Sequence, residues 1–336
     1  MNRKIIFMVA IALTVIVGST SLGCATTKTI TWNLQGFQLN YETLPMPQSL
    51  KLAENVSERT NGNFTINVAL EGELGVHRDN YNEAAQAGTV ELIQHSSPLL
   101  ERIIPHMGVY HLPQLGVDPG DWEELMWELA DRDQAAMQEF GFQMVTPECI
   151  YADWNQELYT IDPIDPTDMS GESIRVWQVA MEEVIAKLSG EPVYMAFTEV
   201  YMALERGVIT GFMTGASPAA NMSVWEVCSQ FYPAGFPGGG RYLVVNTEAF
   251  ESLPEEYQTI LVEEAAAYGA SSRAGVASAI EAALAEFADR GMVLNEFTDE
   301  ERAAWRDVSL PLWDTYAKAA PENEEILNIA KDLLLD

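Results

Sequence analysis

Basic residues are what this chain has least of. Against 50 aspartates and glutamates it carries 18 lysines and arginines, a formal net charge of −32 at pH 7. That balance argues against nucleic acid as a partner, because its phosphates would be repelled. It equally disfavours an anionic membrane surface. Its ordinary meaning is solubility. The scarcity has a sharper consequence: an arginine that the pattern turns inward needs a reason, because an unpaired buried charge is costly. Cysteine is rare too, with three in 336 residues. Cys149 and Cys228 lie far apart in sequence, and spacing alone decides nothing about a disulfide. Of the four histidines, His106 and His111 are five apart and off one helical face, while His77 and His95 have no second ligand at metal spacing. No metal and no cofactor are expected. Neither a Gly-x-Ser-x-Gly elbow nor a Walker sequence is present. Gly238-Gly239-Gly240 precedes a strand, which suits a hinge rather than a phosphate cradle.

What is present begins with a targeting segment. Asn2-Arg3-Lys4 is a basic start, Ile5 to Val17 is apolar, and small residues follow to Ala25. Residues 1–25 read as a secretory signal peptide, too short for a comfortable span. Ser21-Leu22-Gly23-Cys24 is similar to a bacterial lipoprotein box, so a lipidated Cys24 is the alternative. No later run could cross a bilayer.

Two stretches share one pattern. Gly171 to Gly215 divides into strand (Glu172–Val176), helix (Gln178–Ser189), strand (Pro192–Ala196), helix (Glu199–Arg206) and strand (Val208–Met213). Gly190 and Gly207 sit where a left-handed helix stop belongs, and Thr198 is placed to cap the second helix. Earlier, strands at Lys28–Leu34, Asn63–Leu70 and Val90–Gln94 alternate with helices at Pro47–Arg59 and Arg78–Ala87. Strands alternating with helices imply parallel sheets. Between the two units we expect a helix over Gly120–Phe140, a strand over Gln143–Cys149 and an irregular crossing at Asp153–Asp168. Phe231–Gly240 forms a second crossing, and Tyr242–Asn246 returns to the first sheet. Glu255 to Arg290 lacks proline and carries an apolar stripe; as one helix it is about 54 Å long, so it either kinks near Gly269 or Gly275 or spans both units.

Ligands of open α/β sheets bind at the carboxyl edge of the strands, and clefts between two such edges favour small-molecule sites. In the second unit that edge carries Arg175, Trp177, Gln178, Phe197, Met213 and Thr214, with Trp154, Asn155 and Gln156 in the crossing beside it. In the first it carries Phe37, Glu73 and His95. Arg175 is the strongest candidate, because a planar guanidinium fork matches two carboxylate oxygens. Its ordinary alternative is a salt bridge to one of the many acids. The other polar residues are singly more often structural, and the aromatics more often core.

The chain resembles the substrate-binding proteins of TRAP transporters, the DctP family. The likeness runs through Ser57-Glu58-Arg59-Thr60-Asn61-Gly62 and Gly72-Glu73-Leu74-Gly75. It continues in Gly171-Glu172-Ser173-Ile174-Arg175-Val176, in Phe197-Thr198-Glu199-Val200-Tyr201-Met202-Ala203-Leu204 and in Gly207-Val208-Ile209-Thr210-Gly211. The resemblance implies an α/β, two-lobed periplasmic-binding fold with a ligand cleft and a long bridging helix. It implies a first lobe of residues 26–150 plus about 241–268, a second of 151–240, the helix at 255–290 and a C-terminal strand and helices at 291–336. It further implies a periplasmic receptor, not an enzyme, that hands an organic acid to TRAP membrane permease subunits. Arg175 falls on the arginine that holds the ligand carboxylate in the family, while Glu199 and Tyr201 read as architectural. Thr210 replaces a common aspartate, and Thr214 replaces a common asparagine. No basic residue occupies Trp154-Asn155-Gln156-Glu157, where dicarboxylate and sialic acid binders carry another arginine. A monocarboxylate or oxo acid with an apolar body is therefore expected, bound by a monomer. The alternatives are a hydrolase or lyase on a similar fold, or the binding protein of an ATP-driven importer.

Overall fold

The computed structural model describes residues 29–38 and 40–335. The signal segment and Cys24 lie outside the described residues. In chain order the strands are β1 (Ile30–Gln35), β2 (Phe64–Ala69), β3 (Leu92–Ser96), β4 (Phe142–Met144), β5 (Tyr151–Ala152) and β6 (Gln156–Thr160). They continue with β7 (Ser173–Val176), β8 (Glu191–Tyr194), β9 (Gly211–Thr214), β10 (Gln230–Phe236), β11 (Gly240–Asn246) and β12 (Val293–Leu294).

Two sheets form. The first runs β2-β1-β3-β11-β4, with β5 also on β11; the second runs β12-β10-β6-β9-β7-β8. β1 is parallel to β2 and β3, as expected when helices Met46–Arg59 and Tyr81–Ala87 supply the crossovers. β11 is the returning strand, antiparallel to both β3 and β4. Its Tyr-Leu-Val-Val-Asn run is continuously buried, as a strand covered on both faces must be. In the second sheet β7 is parallel to β8 and β9, while β6 is antiparallel to β9 and β10.

Several local expectations are corrected. The crossing at 153–168 is not irregular: Gln156–Thr160 is a strand near the middle of the second sheet. Its polar residues are buried beside apolar ones, which hid the alternation. Gly120–Phe140 is two helices, Pro119–Glu128 and Ala130–Glu139, parted where Leu129 leaves helical geometry to enter the core. Gln143–Cys149 is a strand only as far as Met144; Pro147–Cys149 is one tight helical turn. Ser189, not Gly190, takes the left-handed conformation. Gly190 is small for another reason: an added Cβ would lie 2.8 Å from Ile185. The helix after β8 starts at Phe197, so Ala196 is its cap, and the Ala196 N–H donates to Glu199 Oε2 at 3.3 Å. Gly207 does close that helix with φ +67°. Cys149 and Cys228 are both free and belong to different cores.

One core fills the first lobe, and two smaller ones cover the faces of the second sheet. Two helices join them. Glu255–Asp289 is a single helix, which buries Tyr257, Leu261 and Tyr268 in the first core and Ala283 and Phe287 on the second sheet. Asp299–Ala319 does the same with tryptophans. Trp305 packs on the second sheet and donates to the Pro166 carbonyl; Trp313 packs in the first core and donates to the Pro113 carbonyl.

The long helix touches the first lobe closely at Gly269, where an added Cβ would sit 2.1 Å from the Glu148 carbonyl oxygen. Gly269→Val should therefore lower stability by about 1–3 kcal/mol through overpacking against backbone. Urea denaturation followed by circular dichroism measures this. An unchanged midpoint would mean that the helix is not seated there.

Candidate functional site

Arg175 sits in β7 between Ile174 and Val176, which point into the core. Alternation sends its side chain to the opposite face. The parallel register sets it beside Val193 of β8 and Phe212 of β9. From there Nε donates to the Met195 carbonyl and Nη1 to the Met213 carbonyl, both at 3.2 Å. The guanidinium thus spans the carboxyl ends of three strands. The Phe197 ring centroid lies 5.9 Å away.

No acid pairs with it. It is 5% exposed, the one buried lysine or arginine among the described residues, and none of their carboxylates lies within salt-bridge distance of it. Burial draws its pKa down to about 10, so it keeps its charge at neutral pH. Two neutral carbonyls leave most of a five-donor fork unused.

Other residues of the second lobe gather around it. Met213 and Thr214 are buried in β9, whereas Trp177 and Phe197 are exposed by 42% and 38%. Trp177 Nε1 donates to Gln156 Oε1 at 3.2 Å, which ties the rim to the first crossing. Trp154 lies on Gly215, where an added Cβ would fall 1.9 Å from its ring. Asn155 donates to the Val117 carbonyl and keeps a sealed, unpaired side-chain oxygen. Gln178 stands at the N-cap position of the helix Val179–Lys187 without a capping bond from its side chain.

The residues of the first lobe stand differently. The Phe37 ring carries two guanidiniums, Arg78 at 4.4 Å and Arg241 at 4.1 Å from its centroid. Both are already neutralised, Arg78 by Glu71 and Arg241 by Asp153. The Glu73 carboxylate accepts from the Leu70 N–H and the Tyr41 hydroxyl, closing its own turn. His95 is buried between Tyr81 and Phe142, and desolvation pulls its pKa to about 4, so the ring is neutral. Two cavities open between the lobes. One of about 650 Å³ touches Trp177 and Gln178, and one of about 500 Å³ touches Trp154; Arg175 lines neither.

Sequence reasoning missed the Asp153–Arg241 pair and a second cluster. Ser97 Oγ is 2.8 Å from His111 Nε2, and His111 Nδ1 is 3.0 Å from Glu101 Oε2. The order imitates a hydrolase relay. Ser97, however, is fully buried, and its oxygen accepts the Gly240 N–H at 2.7 Å. The cluster grips the crossing strand instead of meeting a substrate. A serine and a histidine fourteen residues apart carry no pattern that would reveal it. Nearby, Glu157 accepts the Gly235 N–H at 2.9 Å and so links the two crossings.

Residues 42–319 match the family model for bacterial extracellular solute-binding proteins, family 7 (DctP). The chain is 26% identical over 278 residues to the C4-dicarboxylate-binding periplasmic protein DctP of Rhodobacter capsulatus, covering 80% of this chain and 81% of that one. Among solved structures it is similar to an extracytoplasmic solute receptor of Bordetella pertussis that binds pyroglutamic acid. The TM-score there is 0.76 at 18% identity, over 90% of this chain and 100% of that one. It is also similar to a TRAP periplasmic solute binding protein of Chromohalobacter salexigens with bound D-glucuronate. There the TM-score is 0.76 at 21% identity, over 90% and 99%. At such identities the solved structures establish the fold: two α/β lobes with a long helix.

Burial pushes the Glu157 carboxyl up to about 7. Its folded pKa lies above the unfolded value of about 4.3, so its contribution to stability is full below that value and is lost as pH rises through about 7. Urea midpoints of the wild type should fall between pH 5 and pH 8. In Glu157→Gln they should fall less, and equal slopes would refute the assignment.

Proposed function

We propose, for a chain that belongs to family 7 of the bacterial extracellular solute-binding proteins, the DctP family, that Arg175 receives the carboxylate of a small organic acid. Members of this family are receptors, not enzymes. The observation that carries the proposal is the buried guanidinium of Arg175, held by two backbone carbonyls and paired with no acid in a strongly acidic protein. Burying a charge without a partner is costly, and a ligand anion would remove that cost.

The remaining site residues take supporting roles. Trp177 and Phe197 form apolar walls on either side of the anchor. Met213 and Thr214 floor it, and Trp154, Asn155, Gln156 and Gln178 supply hydrogen bonds and close the edge. Phe37, Glu73 and His95 belong to the opposing lobe, which meets the ligand on closure. The closing bodies are residues 26–150 with about 241–268, and residues 151–240, swinging about Gly238–Gly240. The protein works as a monomer in the periplasm and delivers its acid to TRAP membrane permease subunits. No helix among the described residues is long and apolar enough to cross a membrane.

The ligand carries one carboxylate. In the first lobe Arg78 and Arg241 are committed to Glu71 and Asp153, so a second carboxylate would find no free cation there. Pyroglutamic acid and glucuronate, bound by the two similar receptors, are likewise single acids.

Isothermal titration with a panel of monocarboxylates tests the anchor. Arg175→Ala should weaken binding by about 3–5 kcal/mol, more than a hundredfold, and Arg175→Lys should lose the bidentate geometry and fall between. Without ligand, Arg175→Met should raise the unfolding temperature, since it removes an unpaired buried charge. Undiminished affinity in Arg175→Ala would end the proposal.

A further inference from the structure

The larger cavity has no role in the reading above. Its walls come from three separate parts of the chain. The segment Pro98–Pro113 of the first lobe forms one, the first turn of helix Val179–Lys187 forms the second, and helix Asp299–Ala319 forms the third. Apolar groups dominate it, among them Leu112, Pro113, Val179, Leu312 and the Tyr316 ring. At about 650 Å³ it lies well inside the range of about 300–1,000 Å³ for pockets that enclose a drug-sized molecule. A compact acid seated on Arg175 would leave it empty.

Trp177 connects the two places. It follows directly on β7, two residues beyond Arg175 in the chain. Its ring is 42% exposed, and it lines the chamber. The indole nitrogen is anchored on Gln156, which fixes the ring in the chamber wall. At the polar side of the chamber stands the Glu101 carboxylate, held by His111. The Arg102 guanidinium lines the same side, so that end of the chamber carries both signs of charge.

We propose that this chamber takes the far end of the same ligand, so that the receptor is built for elongated monocarboxylates with a largely apolar body. The proposal rests on Arg175 as the carboxylate anchor. The acid lies with its charged end on the guanidinium, passes along the Trp177 ring and reaches between helix Asp299–Ala319 and the first lobe. Helix Asp299–Ala319 thereby becomes part of the binding wall, in addition to joining the lobes.

The test compares lactate with 4-phenylbutyrate by isothermal titration, on the wild type, Arg175→Ala and Thr315→Trp. Thr315 is exposed on the helix face that lines the chamber, so a tryptophan there fills the space. The wild type should bind 4-phenylbutyrate at least about tenfold more tightly than lactate, as burial of a few additional carbon groups provides. In Thr315→Trp that ratio should fall to near one. Ala180→Trp, entering from the opposite wall, should do the same, which guards against one variant failing to fold. A ratio near one in the wild type, or a ratio that both tryptophans leave intact, overturns the chamber while the anchor stands. Loss of both acids in Arg175→Ala shows the anchor independently; equal binding in that variant removes the anchor, and the chamber proposal with it.

Discussion

An unneutralised guanidinium inside an acidic protein is the constraint on which the site depends. Arg175 stays charged because its pKa, though lowered, remains near 10. It stays unpaired because the strands around it present carbonyls and apolar side chains, not acids. The protein has many more acids than bases, so keeping every carboxylate away from one buried arginine is a demanding arrangement. Under the proposed function, its cost would fall on the ligand-free state and be relieved by a bound anion.

The opposing wall follows the contrary rule. Arg78 and Arg241 both lie over Phe37, and both are neutralised by carboxylates of the same lobe. These pairs hold the turn after β2 and the first crossing against the first sheet. Ser97 holds Gly240 while Glu157 holds Gly235, so the second crossing is gripped from the first lobe and from the first crossing. Two helices, Glu255–Asp289 and Asp299–Ala319, then limit how the lobes can move.

Much of this was legible in order. The α/β alternation, the returning strand at Tyr242–Asn246 and a helical stripe over Glu255–Arg290 follow from periodicity and from proline and glycine placement; that the helix runs unbroken was decided by packing. Arg175 stood out for the same reason, as a basic residue inside a strand whose neighbours are apolar. The strand Gln156–Thr160 was not legible, because Gln156 and Thr160 are polar residues buried by partners distant in sequence. Nor was the bridging role of Trp305 and Trp313, whose contacts lie at Pro166 and Pro113. The relay-like cluster at Ser97, His111 and Glu101 was invisible for a similar reason, since its purpose lies at Gly240.

By itself the sequence determined the strand–helix alternation of the two units, the two-sheet class, the family likeness and which arginine to suspect. These depend on local propensity, hydrophobic period and motif, which neighbouring residues specify. Only the tertiary structure decided that this arginine has no internal counter-ion, that the other cleft arginines do, and that a chamber opens beside Trp177. Those facts depend on which of many similar carboxylates and apolar faces come within a few ångströms of one another, and packing alone sets that.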